Sequence, residues 1–237
     1  MNTSIYDISL LDLLWVMIPV AVVMVIYIRW TQDKVTLFYA LFRMLVQLIL
    51  IGYVLIYIFA VDSPYLILLI LSVMLIAASI ISLRPVEKRQ NAFYLYTFVS
   101  IFIGGVFTLI TVVFGVLTLE PWYDPRYIIP LAGMIFANAM NAVSIAAERL
   151  ESEIDRGNTY MQARVISYKA ALIPRINVLF AVGLVSLPGM MTGQILSGVD
   201  PLIAVRYQIM VMLMILGSAG ISVAIYLLLM RRNIAQK

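Results

Sequence analysis

Few side chains in this sequence could do chemistry, and most of them interrupt long apolar stretches. Arg43 and Gln47 sit one helical turn apart. A charge at mid-membrane depth costs at least ~2.5 kcal/mol and usually faces a bundle interior. Arg43 either fills that role or snorkels its guanidinium toward the interface. Gln47 is too short to snorkel and needs a partner on another helix or a polar path. Asn138 and Asn141 lie three residues apart, with Ser144 after them and Ala132, Gly133, Ala137 and Ala139 around them. Buried amides need hydrogen-bond partners, so this face is either helix–helix glue or the lining of a path. A third group runs Ser186-Leu-Pro-Gly-Met-Met-Thr-Gly-Gln194. Pro188-Gly189 is expected to break the helix. Non-helical backbone at membrane depth survives only inside protein or beside water, which directs Ser186, Pro188, Gly189, Thr192 and Gln194 toward an interior. Met190 and Met191 offer thioether sulfur to a soft metal ion or simply pack.

The missing residue types narrow the chemistry further. The chain has no Cys and no His, which removes disulfides, thiolate metal sites and the commonest general base and transition-metal ligand. There is no Gly-x-x-x-x-Gly-Lys-Ser/Thr loop for ATP phosphates and no Gly-x-Ser-x-Gly elbow. Enzymatic chemistry on this chain is therefore not expected.

These groups must be held by membrane-spanning helices. Of the 237 residues 64% are hydrophobic and 12% charged, against about 25% charged in a soluble domain. Stretches of about 20 apolar residues span a bilayer. Seven are expected, at about 10–28, 36–60, 64–83, 92–118, 126–147, 176–197 and 202–230; the sixth is the weakest because of its glycines and Pro188, and a six-span alternative would drop one weak segment and break the charge alternation after it. The gaps alternate in sign. Arg29/Lys34, Arg84/Lys88/Arg89, the Glu148–Arg175 stretch and the Arg231–Lys237 tail are basic-rich. Asp7/Asp12, Asp62, Glu120/Asp124 and Asp200 mark the others, with Arg126 and Arg206 the basic residues nearby. Basic loops remain cytoplasmic, so the N-terminus is expected outside and the C-terminus inside. The net charge of +4 reflects topology and anionic headgroups rather than nucleic acid. The acidic N-terminal region does not resemble a cleavable signal peptide. Pro64 and Pro201 suit the first turn of a helix. The fold class is an all-α polytopic transmembrane bundle forming a single domain over 1–237.

Glu148–Arg175 is the one long polar segment. Arg149/Glu153 and Glu153/Arg156 are spaced as helical ion pairs. Gly157 can end that helix, and Asn158 or Thr159 can cap the next. On the second helix Met161, Val165, Ile166 and Ala170 fall near one face, with Arg164 and Lys169 toward its edges. Such a helix lies on lipid, docks into a partner's groove or merely joins two spans.

Pro130-Leu-Ala-Gly-Met-Ile-Phe-Ala-Asn-Ala-Met140, Ala170-Ala-Leu-Ile-Pro174, Val182-Gly-Leu-Val-Ser-Leu-Pro-Gly-Met-Met-Thr-Gly193, Gly198-Val-Asp-Pro201 and Tyr207-Gln-Ile-Met-Val211, with Gln47–Tyr53 and the Asp62 turn, resemble the FetB-type (YbbM-type) permease family. Those proteins are membrane subunits of an ABC transporter implicated in bacterial iron export, with plant relatives linked to aluminium tolerance. Ala137 departs from the pattern, where Gly is expected. The resemblance implies an inner-membrane, multi-pass, non-enzymatic permease, acting as a homodimer with a separate cytoplasmic ABC ATPase. ATP and Mg would be bound by that partner, and no cofactor by this chain. It also implies a coupling segment, which falls on 148–175 with Gly157, Met161, Val165, Ile166 and Lys169. The substrate path would then use Arg43, Gln47, Asn138, Asn141, Ser186, Met190, Met191 and Gln194, around the break at Pro188 and Gly189. The competing readings are a self-sufficient secondary transporter or channel, an ABC permease for a non-metal cargo such as a sugar nucleotide, and a non-transporting scaffold. The spans hold no mid-depth Asp or Glu, which weighs against proton coupling.

Overall fold

Apolar runs punctuated by Asp, Pro and Gly give a chain that is almost entirely helical. The structure is a computed structural model and describes residues 9, 11–61, 63–88 and 90–234. Asp7, Asp62, Arg89 and Lys237 lie outside the described residues. The helices are α1 Leu13–Thr31, α2 Thr36–Ala60, α3 Pro64–Ser82, α4 Asn91–Ile110, α5 Pro125–Asp155, α6 Tyr160–Ala181, α7 Gly189–Leu196 and α8 Pro201–Ile234. The end of α4 continues as a π-helical stretch, Thr111–Leu117.

Two units divide the chain, residues 1–62 and 63–237. The first is the α1–α2 hairpin. Asp33 fixes its turn by accepting the backbone N–H groups of Val35 and Thr36, both at 3.0 Å. The hydrogen bond from the Thr36 amide is the largest cause that lowers the Asp33 carboxyl to about 2.

The second unit holds α3 to α8. Proline opens three of its helices at N1, where the missing N–H costs nothing. Asp124 caps α5 by accepting from Arg126 N at 3.0 Å, and Asp200 accepts from Leu202 N at 2.8 Å at the start of α8. Small residues then let the helices close. On α8, Ala204, Ser218, Ala219 and Ser222 are buried, and α8 packs along α4 and α5. A Cβ on Gly104 of α4 would stand 2.8 Å from the Ser222 backbone nitrogen and 3.1 Å from the Ser218 carbonyl oxygen, and would meet the Ser222 hydroxyl closer still. Only glycine permits that approach. Hydroxyls tie the helices across: Thr97 Oγ1 donates to Ser79 O at 3.1 Å and Ser144 Oγ to Ser82 O at 2.6 Å.

Among the described residues six helices are long and apolar enough to cross a membrane: α1, α2, α3, α4 with its π-helical end, α5 and α8. The count is close to the seven expected, and the protein is an all-helical, multi-pass membrane protein. The difference lies at 176–197. That stretch is not one helix but the C-terminal end of α6, a non-helical segment from Val182 to Pro188, and the short α7.

Candidate functional site

Two places in the second unit gather functional side chains: the middle of the α5–α6 pair and the corner where α5 turns into α6.

At the corner, α5 ends at Asp155, and Gly157 takes φ +86°. That left-handed conformation suits glycine and lets the Gly157 N–H reach Ile154 O at 2.9 Å. Thr159 then caps α6 in a reciprocal box with Gln162, which starts a new helix two residues after the turn. Glu153 is buried beneath the turn. It pairs with Arg149 at 2.7 Å and Arg156 at 3.1 Å and accepts from Asn158 Nδ2. Two residues earlier, Glu151 accepts the backbone N–H groups of Glu87 at 3.0 Å and Lys88 at 2.8 Å. Lys88 reaches Asp155 at 2.6 Å, and that hydrogen bond raises the Lys88 ammonium pKa. The α3–α4 loop and the α5–α6 turn are thus riveted into one charged knob. Beyond it α6 turns a row of small residues inward, Ala163, Ser167 and Ala171. Met161 and Val165 remain 55% and 47% exposed, Ile166 is half-buried and Lys169 exposed.

The second place lies further along α6. Arg175 Nη1 donates to Asn138 Oδ1, while Asn138 Nδ2 donates to Met134 O at 2.7 Å. Helical rise gives the depth. Asn138 is 12 residues from Arg126 and 10 from Glu148, the nearest charges on α5, or about 18 and 15 Å at ~1.5 Å per residue. That interval matches a hydrocarbon core of about 30 Å, so Arg175 is bonded close to its middle. Arg175 also borders a cavity of about 180 Å³ whose other walls include Met212, Ile215 and Leu216 of α8.

The remaining expected path residues are dispersed. Arg43 is half-buried and Gln47 exposed on α2, in the first unit. Asn141 is exposed one turn from Asn138. In the non-helical segment the Ser186 carbonyl accepts from Gly183 N at 3.0 Å, and Ser186 is exposed. Pro188 is the N-cap of α7 and half-buried, Gly189 is exposed, and Met190, Met191 and Thr192 are half-buried. Gln194 is half-buried too, with its Oε1 shut off from solvent and without a donor. The structure joins Asn138 to Arg175 but brings no second expected path residue to that bond. Among the described residues no three His, Cys, Asp or Glu side chains form a metal-binding group.

Two residues escape the reading by hydropathy. Arg175 appears there as the end of a charged loop. Its signal is the four-residue row Ala163, Ser167, Ala171, Arg175, which continues the buried face of α6. Gln208 is buried in α8 with neither amide atom partnered. It falls four residues after the buried Ala204, so the same spacing marks it.

Comparison with known proteins bears on this arrangement. A family profile described as "Uncharacterised protein family (UPF0014)" matches residues 10–235. A UPF0014 membrane protein of Synechocystis is 38% identical over 192 residues, 73% of each chain. The "Probable iron export permease protein FetB" of Escherichia coli is 37% identical over 198 residues, 77% of this chain and 75% of the relative. The protein ALUMINUM SENSITIVE 3 of Arabidopsis thaliana is 31% identical over 221 residues, 86% and 80% of the two chains. No solved structure matches the chain.

Proposed function

The chain belongs to the UPF0014 family of membrane proteins, and from that premise we propose that it is the membrane-spanning permease subunit of an ATP-driven exporter of metal, iron first among the cargoes. The relative named as a probable iron export permease suggests the cargo. ATP and Mg would be bound by a separate cytoplasmic ATPase, and two copies of this chain would work together. The non-helical segment Val182–Pro188 supports the pairing. Leu184 and Val185 stand 89% and 83% exposed there, and irregular backbone at membrane depth needs protein or a water-filled cavity around it.

The observation that carries the proposal is the α5–α6 corner. A pump driven from outside the membrane needs a stiff handle on its cytoplasmic side. Here the buried Glu153, the Glu151 bonds to the α3–α4 loop and the Lys88–Asp155 pair make one. The exposed Met161 and Val165 give it an apolar face to seat in a groove. Force applied at that face would travel along α6, past its interior Pro174, to Arg175 and the broken segment.

The test is co-expression with a Walker-motif ATPase encoded beside this chain, followed by affinity purification and an ATPase assay. Met161→Asp or Val165→Asp places a charge on the docking face. Either is expected to cut recovered ATPase at least tenfold while the membrane protein still purifies as one species. Full complex formation and full ATPase stimulation by both variants would refute the coupling role.

A further inference from the structure

Resting on the permease reading, we propose that Arg175, oriented by Asn138 near the bilayer midplane, binds an oxyanion group of the cargo, a carboxylate or a phosphate. Metal passing this point would then travel as an anionic, oxygen-ligated complex rather than as a bare cation.

Depth comes first. Asn138 is close to midway between Arg126 and Glu148 on α5. On α8, Met212, Ile215 and Leu216, which wall the cavity beside Arg175, lie 11–15 residues in from the start of the helix at Pro201 and 15–19 short of Arg231. A snorkelling side chain keeps its charge at the interface. This one is tied to an amide at the centre.

Charge comes second. Among the described residues no carboxylate pairs with Arg175; the ion pairs all lie at the cytoplasmic corner. Asn138 supplies a neutral oxygen, which orients the guanidinium without cancelling its charge. A carboxylate there would make a closed structural pair. An amide leaves a positive site whose field must be met by something that enters.

Geometry comes third. Nη1 is committed to Asn138, and Nε is shut off from solvent with no acceptor. The edge made by Nε and Nη2 is the one that takes two oxygens of a carboxylate or phosphate side by side. The exposed Asn141 lies one turn from Asn138 on the same helix. A bare divalent cation would be repelled at this site. A metal wrapped in oxygen ligands with net negative charge would not, and hard metal ions prefer such ligands.

The test uses the full chain in nanodiscs of neutral phosphatidylcholine, titrated calorimetrically with ferric citrate, citrate alone, inorganic pyrophosphate and ferrous ion. The oxyanions are expected to bind and ferrous ion not to. Arg175→Gln should weaken oxyanion binding at least tenfold, and Arg175→Lys, which keeps the charge and loses the planar edge, less. Asn138→Asp provides the carboxylate that the site lacks, so it should abolish binding while preserving the α5–α6 contact. Oxyanion binding unchanged in both Arg175→Gln and Asn138→Asp, or binding of ferrous ion alone, would overturn the proposal. Nanodiscs with phosphatidylglycerol separate the sources. If that lipid blocks oxyanion binding through Arg175, the ligand is a headgroup and the cargo assignment falls. Failure of the exporter reading looks different: Arg175-dependent oxyanion binding with no ATPase partner and no transport. Export of ferrous ion undiminished by Arg175→Gln would instead sink this site and leave the exporter standing.

Discussion

Adding one methyl group at Gly104 is the sharpest probe of the helix packing. A Cβ there would meet the Ser222 side chain, stand 2.8 Å from the Ser222 nitrogen and 3.1 Å from the Ser218 carbonyl oxygen. Ordinary contact begins near 3.4 Å, so the backbones of α4 and α8 must part by about 0.6 Å, because no rotamer change moves a main-chain nitrogen. Overpacking of this kind costs about 1–3 kcal/mol, a shift of about 5- to 150-fold in the folded-to-unfolded ratio. The Ser222 hydroxyl is buried without a partner, so Ser222→Ala alone should be neutral or slightly stabilising. In Gly104→Ala/Ser222→Ala the side-chain part of the clash is gone and the main-chain part remains, so only partial recovery is expected. Unfolding of the purified chain in detergent, followed by denaturant titration or by the rate of proteolysis, measures all four corners of the cycle. Gly104→Ala with wild-type stability would refute the close approach. Full recovery in the double variant would show that the backbone contact is not limiting.

At the corner, Glu153→Ala removes the acceptor shared by Arg149, Arg156 and Asn158. Arg156 is well exposed and Arg149 partly so, hence a cost of about 1–2 kcal/mol, below the ~3–5 of breaking a fully buried pair; limited proteolysis should cut at 155–160 several-fold faster, and an unchanged rate would refute the bracing role. A reporter active only in the cytoplasm should give signal when fused after Lys237 and none after Asp62, the reverse of which overturns the topology. Pro188→Ala allows α7 to extend backward, so export in reconstituted vesicles should fall more than expression or complex yield; an equal loss of both would make the break structural only.

Most of the spanning helices were legible because hydropathy sums over twenty residues and one misplaced side chain does not hide it. Helix starts were legible where chemistry is local: Pro64 and Pro201 open their helices, and Thr159 caps α6 as its residue type suggests. The α5–α6 turn could be read from Gly157 and from the spacing of Arg149, Glu153 and Arg156. The stretch 176–197 was legible only in part: Pro188-Gly189 marks its break, but the non-helical segment begins earlier, at Val182. Its average composition is that of a span, but Gly183 takes φ +82° and a backbone bridge joins Val182 to Ser186, a local event that a window average erases.

Arg175 shows the same limit from the other side. Hydropathy assigns a charge to water, which places Arg175 at the end of the charged stretch. The opposite placement depends on a partner 37 residues away, since Asn138 supplies the acceptor that lets the guanidinium stay at depth. Only the four-residue row from Ala163 carries a trace of this in sequence, and a row is silent about what lies across from it. The asymmetry has a functional consequence. A span with no charge can be read from composition. A charge held mid-membrane by a neutral amide costs stability wherever it has no ligand, and a transport path is one of the few settings in which that cost returns as cargo binding. Arg175 lies toward the far end of the same helix whose near end bears Met161 and Val165, just past the interior Pro174. On the proposed coupling reading, a tilt of α6 imposed at the corner is expected to shift the guanidinium relative to Asn138.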